Sequence, residues 1–452
     1  MPSLLFAADV SSSSDPWARL PRILDRIKPP SFAYREFDVS KFRAVGDNHF
    51  DCTAAFAKAI SACNQAGGGT VLVPKGEFLT GAIRLKSNVN LHIADGGTIR
   101  FLRDPAKYPI VFTRWEGVEL MNFSPFIYAF GEENIAITGK GTIDGNADCE
   151  HWWPWKGRTD CGWTPGQPNQ ENDRNRLFEM GEKRVPVNDR VFGLGHYLRP
   201  NFIEPYRCKN ILIEGVTLLN SPMWQVHPVL CSNVTVRGLT INSSGPNTDG
   251  CDPESCADVL IENVFFNTGD DCIAIKSGRN EDGRRVNVPS QNIVIRNCHM
   301  KNGHGGVTIG SEISGGVDHV FAENCKMDSP HLDCAIRIKD NAMRGGLIER
   351  IYARNIEVGQ VSTAGVSIDF NYEEGASGKF TPVVRDVQIR NLTTRKAKYA
   401  LYLRGFSNAP ITDVRLADCD FEGVEKKCVV ENVKHVSFYH VRINGTQVHS
   451  IS

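Results

Sequence analysis

From the middle of the chain onward one pattern of polar and apolar positions recurs: a polar residue, an apolar one, any residue, an apolar one, any residue, and then usually Asn, Asp or Gly. It reads Asn210 Ile211 Leu212 Ile213 Glu214 Gly215, then Asn233 Val234 Thr235 Val236 Arg237 Gly238, then Asp258 Val259 Leu260 Ile261 Glu262 Asn263. Later copies begin at Asn292, His319, Arg350, Asp386, Asp413 and His435, and an early one begins at Asn134. The period-two alternation turns one face of each strand inward. Copies spaced at about 22 to 36 residues match one coil of a solenoid each. A single coil cannot bury its apolar face; stacked coils, about 4.8 Å per rung, supply a backbone ladder and a continuous core. The pattern predicts an all-β, single-domain parallel β-helix, and it lacks the Leu-dominated consensus of leucine-rich repeats.

Ahead of the coils, Cys52 to Gln65 reads as an amphipathic capping helix with Phe56, Ile60 and Cys63 on one face. Gly67 Gly68 Gly69 is followed by the β-branched run Thr70 Val71 Leu72 Val73, so it is not a phosphate loop, which would open a helix. Residues from about Asn146 to Pro200 break the repeat and carry His151 Trp152 Trp153 Pro154 Trp155, which marks a long loop insertion. The expected division is an N-terminal tail or extension over 1–35 and a β-helix catalytic domain over 36–452, with the insertion at about 146–200.

Composition narrows the picture. The 41 Gly and 23 Pro fit many tight turns. A formal net charge of −1 offers no global field for nucleic acid or an anionic membrane, so neither is an expected partner. No run of about 18 apolar residues exists to span a bilayer. Among 14 cysteines, most read as small core residues, and Cys298, Cys325 and Cys419 follow the same strand pattern on separate coils. Cys149 and Cys161, close together in the insertion, are the candidates for a disulfide. Ser3 Leu4 Leu5 Phe6 Ala7 Ala8 and the Ser run after it look like the tail of an export signal. That points to an exported, periplasmic or secreted protein, with a cytoplasmic place if what it acts on is imported.

Four segments at successive coil intervals combine the interior alternation with unusual outward residues: Asn247 Thr248 Asp249 Gly250 Cys251 Asp252; Gly269 Asp270 Asp271 Cys272 Ile273 Ala274 Ile275 Lys276; Gly303 His304 Gly305 Gly306 Val307 Thr308 Ile309 Gly310; and Cys334 Ala335 Ile336 Arg337 Ile338 Lys339. With Ile273 and Ile275 inward, aligned to Val307 and Ile309 and then to Ile336 and Ile338, three outward columns are expected. They are Asp249, Asp270 and His304; Ala274, Thr308 and Arg337; and Lys276, Gly310 and Lys339. A sugar would lie between carboxylates and cations. Hydrolysis of an acetal needs an acid for the leaving oxygen and a carboxylate for water or direct attack. Like charges on neighbouring rungs would keep one carboxyl protonated, and Arg337 and Lys339 would bind an acidic sugar. A lone Asp in a solenoid turn reads as structural; the agreement across four rungs is what sets these apart. Asp252 reads as structural, facing the interior. His227, in Trp224 Gln225 Val226 His227 Pro228, reads as a packed histidine as readily as a ligand.

These residues carry a resemblance. Asn-Thr-Asp, Gly-Asp-Asp, Gly-His-Gly and Arg-Ile-Lys, present in that order, resemble the four signatures of the polygalacturonase-type glycoside hydrolases of family 28. The stretch with Gly46 Asp47, Asp51 Cys52 Thr53, Gly67 Gly68 Gly69 and Leu85 Lys86 Ser87 Asn88 is similar to the family's opening coil. The resemblance implies a right-handed β-helix and α-1,4-galacturonosyl hydrolysis with inversion, free of metal or organic cofactor, on a pectic poly- or oligosaccharide. It implies Asp270 as general acid, Asp249 and Asp271 as activators of water, His304 tuning their protonation, Arg337 and Lys339 as the substrate-binding pair, and Tyr372 as a substrate contact. Rung spacing by itself leans towards retention. The insertion, with Gly195 His196 Tyr197 Leu198 Arg199 Pro200, is similar to the exo-acting bacterial branch; Trp152, Trp155, Arg199, His227 and Lys276 complete the expected substrate-binding set. Endo action, a rhamnogalacturonan or otherwise substituted pectin, a pectate lyase and a non-catalytic glycan-binding β-helix are the alternatives.

Overall fold

In the computed structural model, residues 15–450 are described; the stretch Ser3 to Ala8 lies outside them. The polar residue that opens each repeat is a backbone device. Asn134, Asn210, Asn233, Asp258, Asn292, His319, Arg350, Asp386, Asp413 and His435 all adopt left-handed φ values between 54° and 59°. Asn and Asp tolerate that region because their short polar side chains bond locally. The closing residues do the same, with Gly215 at φ 80°, Gly238 at 65° and Asn263 at 55°. Each apolar alternation is thereby bracketed by two bends that turn the chain out of one sheet and into the next. The side chains at the opening bends also stack: Asn134 donates to Asn88 at 3.0 Å, Asn210 to Asn134 at 2.8 Å and Asn233 to Asn210 at 2.8 Å.

Parallel pairing of successive coils gives the right-handed parallel β-helix that the repeat predicts. One sheet forms the floor of the functional face. Along it runs an interior column in unbroken register: Ile83, Ile127, Ile203, Val226, Cys251, Ile273, Val307, Ile336, Val366 and Leu401. All are at most 3% exposed, and burial of each large aliphatic one contributes about 1.5–3 kcal/mol. At the level of Asp249 the floor narrows to isolated bridges, Val226 to Cys251 and Cys251 to Ile273.

The cysteine column is present too: Cys325 pairs with Ile356 and Ile356 with Leu392, while Cys298 and Cys419 precede His299 and Asp420, which pair with Lys326 and Thr393. All 14 cysteines are free. The expected Cys149 to Cys161 bridge is therefore not formed. Cys149 is exposed and Cys161 buried, and the Cys161 thiol is directed to Asp160 at 3.6 Å.

The helix Thr53–Gln65 buries Ala55, Phe56, Ala59, Ile60 and Cys63 against the first coil, as its pattern predicts. Within the expected tail or extension, Pro16–Arg19 and Leu20–Leu24 form two short helical segments. Trp17, Leu20, Ile23 and Ile27 pack onto an outward apolar stripe of Leu260, Val294, Phe321 and Tyr352, which are in register on adjacent rungs. Among the described residues no helix is long and apolar enough to cross a membrane.

Three excursions leave the solenoid on the functional side. The expected insertion runs from the strand Thr142–Asp144 to Ile203–Tyr206 and includes the helix Glu171–Glu182. The hairpin of Ile110–Trp115 and Val118–Phe123 and the helix Asn280–Val286 carry no repeat signature and were not foreseen. Buried polar contacts lock them together: Asp282 accepts from the Glu119 backbone N–H and from Arg190, both at 2.8 Å.

The stacked turns generate a stability expectation. Asn210→Ala should cost about 2 kcal/mol, from the left-handed bend and the lost amide contacts. Asn210→Gly, which keeps the bend, should lose about half as much, read as shifts of the urea midpoint.

Candidate active site

Each signature is a turn built to present one side chain. In Asn247 Thr248 Asp249, Asn247 accepts from Arg199 at 2.7 Å, and the Thr248 hydroxyl bonds the Ser243 and Gly245 carbonyls at 2.7 Å. Next door, the Gly250 N–H donates to the Asp271 carbonyl at 3.0 Å and Cys251 bridges Ile273. Asp249 therefore stands level with Asp271, two positions ahead of that bridge, and not with Asp270 as the sequence alignment predicts. Asp270 instead neighbours His304, whose backbone N–H bonds the Asp270 carbonyl at 3.2 Å. The second expected column is as predicted, Ala274 beside Thr308 and Thr308 beside Arg337. Gly305 makes the cluster possible: a Cβ there would lie 2.0 Å from the Thr308 hydroxyl and 2.9 Å from Asp271 Oδ1.

The three carboxylates offer oxygens within 4.8 Å of one another, and their surroundings differentiate them. Asp271 is fully buried, accepting from Lys339 Nζ at 2.6 Å and the Thr308 hydroxyl at 3.1 Å, with Arg337 Nη1 at 3.8 Å. Asp270 Oδ1 lies 2.9 Å from His304 Nδ1. Burial works to raise the Asp270 carboxyl, but the hydrogen bond and charge of His304, aided by Lys339, outweigh it and hold the group well below the usual range. His304 is correspondingly raised, by its hydrogen bond to Asp270 and then by that carboxylate's charge. Asp249 goes the other way: burial, then the charges of Asp252 and Asp270, push it well up, and its Oδ1 has no protein hydrogen-bond partner. Asp252 is buried, as expected of an interior residue, and burial pushes it up to about 7 against the pull of Lys276. Lys276 Nζ sits 3.8 Å from Asp249, 3.1 Å from Glu312 and 4.2 Å from the centre of the Trp224 ring.

Above the cluster lies a cavity of about 240 Å³ whose lining includes Asp249, Asp270, Lys276, His304, Lys339 and Tyr372. The Tyr372 ring centre is 5.1 Å from Lys339 Nζ and 5.8 Å from Arg337 Cζ. These predicted residues converge. Four others do not. His227 is fully buried between Glu204 and Glu254, at 3.3 and 2.8 Å. Arg199 is fully buried and spent on Asn247, Gln170 and the Pro222 and Pro246 carbonyls. Trp152, 2% exposed, packs on Tyr108, Phe126 and Trp155, and Trp155 packs on Tyr197. His227, Arg199 and Trp152 are thereby corrected from substrate contacts to buried packing residues, while Trp155 is half-buried and lies outside the cavity lining. The sequence reading also missed cavity residues: Glu116 at the hairpin tip, Lys156, Arg158 and Arg174 from the insertion, and Glu312. Charged residues in irregular loops carry no periodicity, so no local signal marks them.

The Asp trio is the one cluster among the described residues spaced to hold a metal ion. Lys339, Lys276, Arg337 and His304 already surround it with positive charge, so the donor set does not fit a divalent cation.

Comparison with known proteins agrees with this geometry. A hyperthermoactive exopolygalacturonase of Thermotoga maritima superposes with a TM-score of 0.93 at 44% identity, over 96% of this chain and 98% of that one. A probable polygalacturonase of Vitis vinifera is 29% identical over 88% of this chain and 77% of that protein. An exo-poly-alpha-D-galacturonosidase of Dickeya chrysanthemi is 26% identical over 79% of this chain and 62% of its own length. The profile of glycosyl hydrolases family 28 matches residues 194–441, the span that holds all four signatures, and the chain belongs to that family of glycoside hydrolases.

Proposed function

We propose that the protein hydrolyses α-1,4-galacturonosyl linkages of polygalacturonate from a chain end, releasing galacturonic acid with inversion and without a metal or organic cofactor. The observation that carries this reading is the Asp trio, of which Asp249 and Asp270 line the cavity, flanked by an imidazole and by cations suited to a uronate. Relatives at 44% and 26% identity that are named as exo-acting enzymes support the chain-end mode, as does a cavity lined in part by hairpin and insertion residues, Glu116, Lys156, Arg158 and Arg174. Export belongs to the same proposal, since a pectic polymer must meet its enzyme outside the cytoplasm; a cytoplasmic place fits an imported oligosaccharide.

In this mechanism Asp270 is the acid. In the free site the proton it shares with His304 rests on the imidazole, because the charged pair is the favoured form across the 2.9 Å contact. A leaving oxygen that gains negative charge draws that proton back through Asp270. Asp271, anchored by Lys339 and Thr308, activates the water as its base, and Asp249, whose oxygen is free of protein partners, orients it and joins as a second base once its raised carboxyl is ionised. Arg337, Lys339 and Tyr372 hold the sugar on the far side of the scissile bond. Oxygens this close, within 4.8 Å, are nearer than the usual inverting pair; inversion is retained on family membership.

Asp270→Asn should lower turnover of polygalacturonate by about 100- to 10,000-fold while calorimetry still detects oligogalacturonate binding; near-wild-type turnover would remove the assignment. The alkaline limb of kcat/KM reports loss of the proton shared by Asp270 and His304. Because the imidazole is raised, this limb should lie above the ordinary histidine value of 6.5. His304→Ala leaves Asp270 to titrate alone as a carboxyl, so the limb should move to lower pH; an unchanged limb in the variant's pH–rate profile counts against the couple. Chromatography should show monomer alone from the first time point, and proton NMR should find it as the β anomer. A ladder of mid-sized oligomers, or an initial α anomer, would contradict the chain-end or the inverting assignment respectively.

A further inference from the structure

The cavity holds several cations, and nearly all are already neutralised. Arg158 is paired with Asp160, Arg174 with Glu116 at 3.0 Å, Lys276 with Glu312 at 3.1 Å and Lys339 with Asp271 at 2.6 Å. Lys156 lines the same cavity and, among the described residues, has no ion pair. It is half-buried, and burial disfavours its charge, with Glu116 and Asp270 acting to favour it and Arg199 and Arg174 against it. A half-buried ammonium without a partner is costly unless a ligand supplies the anion.

Its presentation is rigid. Lys156 ends the turn Trp153–Lys156, which is anchored by Trp152, buried against Phe126, and by the half-buried Trp155, packed on Trp152 and Tyr197. The insertion leaves the solenoid on the N-terminal side of the Asp trio, whereas Arg337 and Lys339 stand on later rungs. Lys156 thus adds a cation from the insertion to Arg337 and Lys339 of the floor, and a galacturonate chain brings one carboxylate per sugar.

We propose that Lys156 binds the carboxylate of the terminal sugar, the one released, and so makes the enzyme select a uronic acid at that position. This rests on the chain-end reading. The role is one of specificity, since Lys156 reaches the sugar's acid group and not the reacting bond.

The test uses two trigalacturonates, one with all carboxyls free and one methyl-esterified only on the sugar released first. The wild-type enzyme should prefer the free acid. Lys156→Met should lose about tenfold or more of that preference, mainly through a raised KM for the free acid with a smaller change in kcat, and Lys156→Arg should recover part of it. Lys156→Gln gives the same readout if the methionine variant does not accumulate as folded protein by circular dichroism. A folded Lys156→Met that keeps the full preference, with the wild type still releasing monomer, overturns the role of Lys156 alone. Mid-sized oligomers from the wild type would overturn the chain-end reading and this assignment together.

Discussion

Every part of this molecule depends on the in-register stacking of parallel rungs. A coil has unpaired backbone groups on both edges and an apolar face it cannot bury alone; only the next coil, at the same register, answers both needs. The column from Ile83 to Leu401 is the visible result. The left-handed residues that bracket the strands are what let each coil return to the same level. Without them the apolar alternation would still want burial, but adjacent coils would not present matching faces.

The same register places chemistry at atomic spacing. Three carboxylates within 4.8 Å of one another repel strongly in a buried site, and the fold tolerates them because rung neighbours bring a lysine, a threonine and a histidine to bear on particular oxygens. Asp270 and Asp249 are then driven in opposite directions, one by a charged partner and the other by burial. Chemically identical side chains thus stand in divergent environments; burial favours the protonated form of Asp249, so the acid role proposed for Asp270 rests on the proton it shares with His304.

What was legible in the sequence was whatever repeats. The coils, the capping helix, the floor alternation and the four signatures each leave a periodic or spaced trace, and Ile273, Val307 and Ile336 stand where their pattern puts them. The pairing of Asp249 with Asp271 was not legible, because it is set by a turn, where strand parity gives no guide to which Asp comes level. His227 and Arg199 were misassigned for a related reason. A charged side chain beside a signature looks available for substrate until its buried partners, Glu204, Glu254 and Asn247, are seen across gaps of 23 to 48 residues. The hairpin and the helix Asn280–Val286 break the repeat without announcing a fold of their own.

The three excursions leave the solenoid at turns, and the floor continues beneath them with its register intact. The structure thus distinguishes a repeating scaffold from the loops that furnish its cavity, the two being joined where Arg199 reaches Asn247. Loops of this kind can lengthen, shrink or trade charges through evolution while the cleavage apparatus stays fixed, so that a single architecture can diversify in which polymers it admits and from which direction, long after its chemistry has ceased to change.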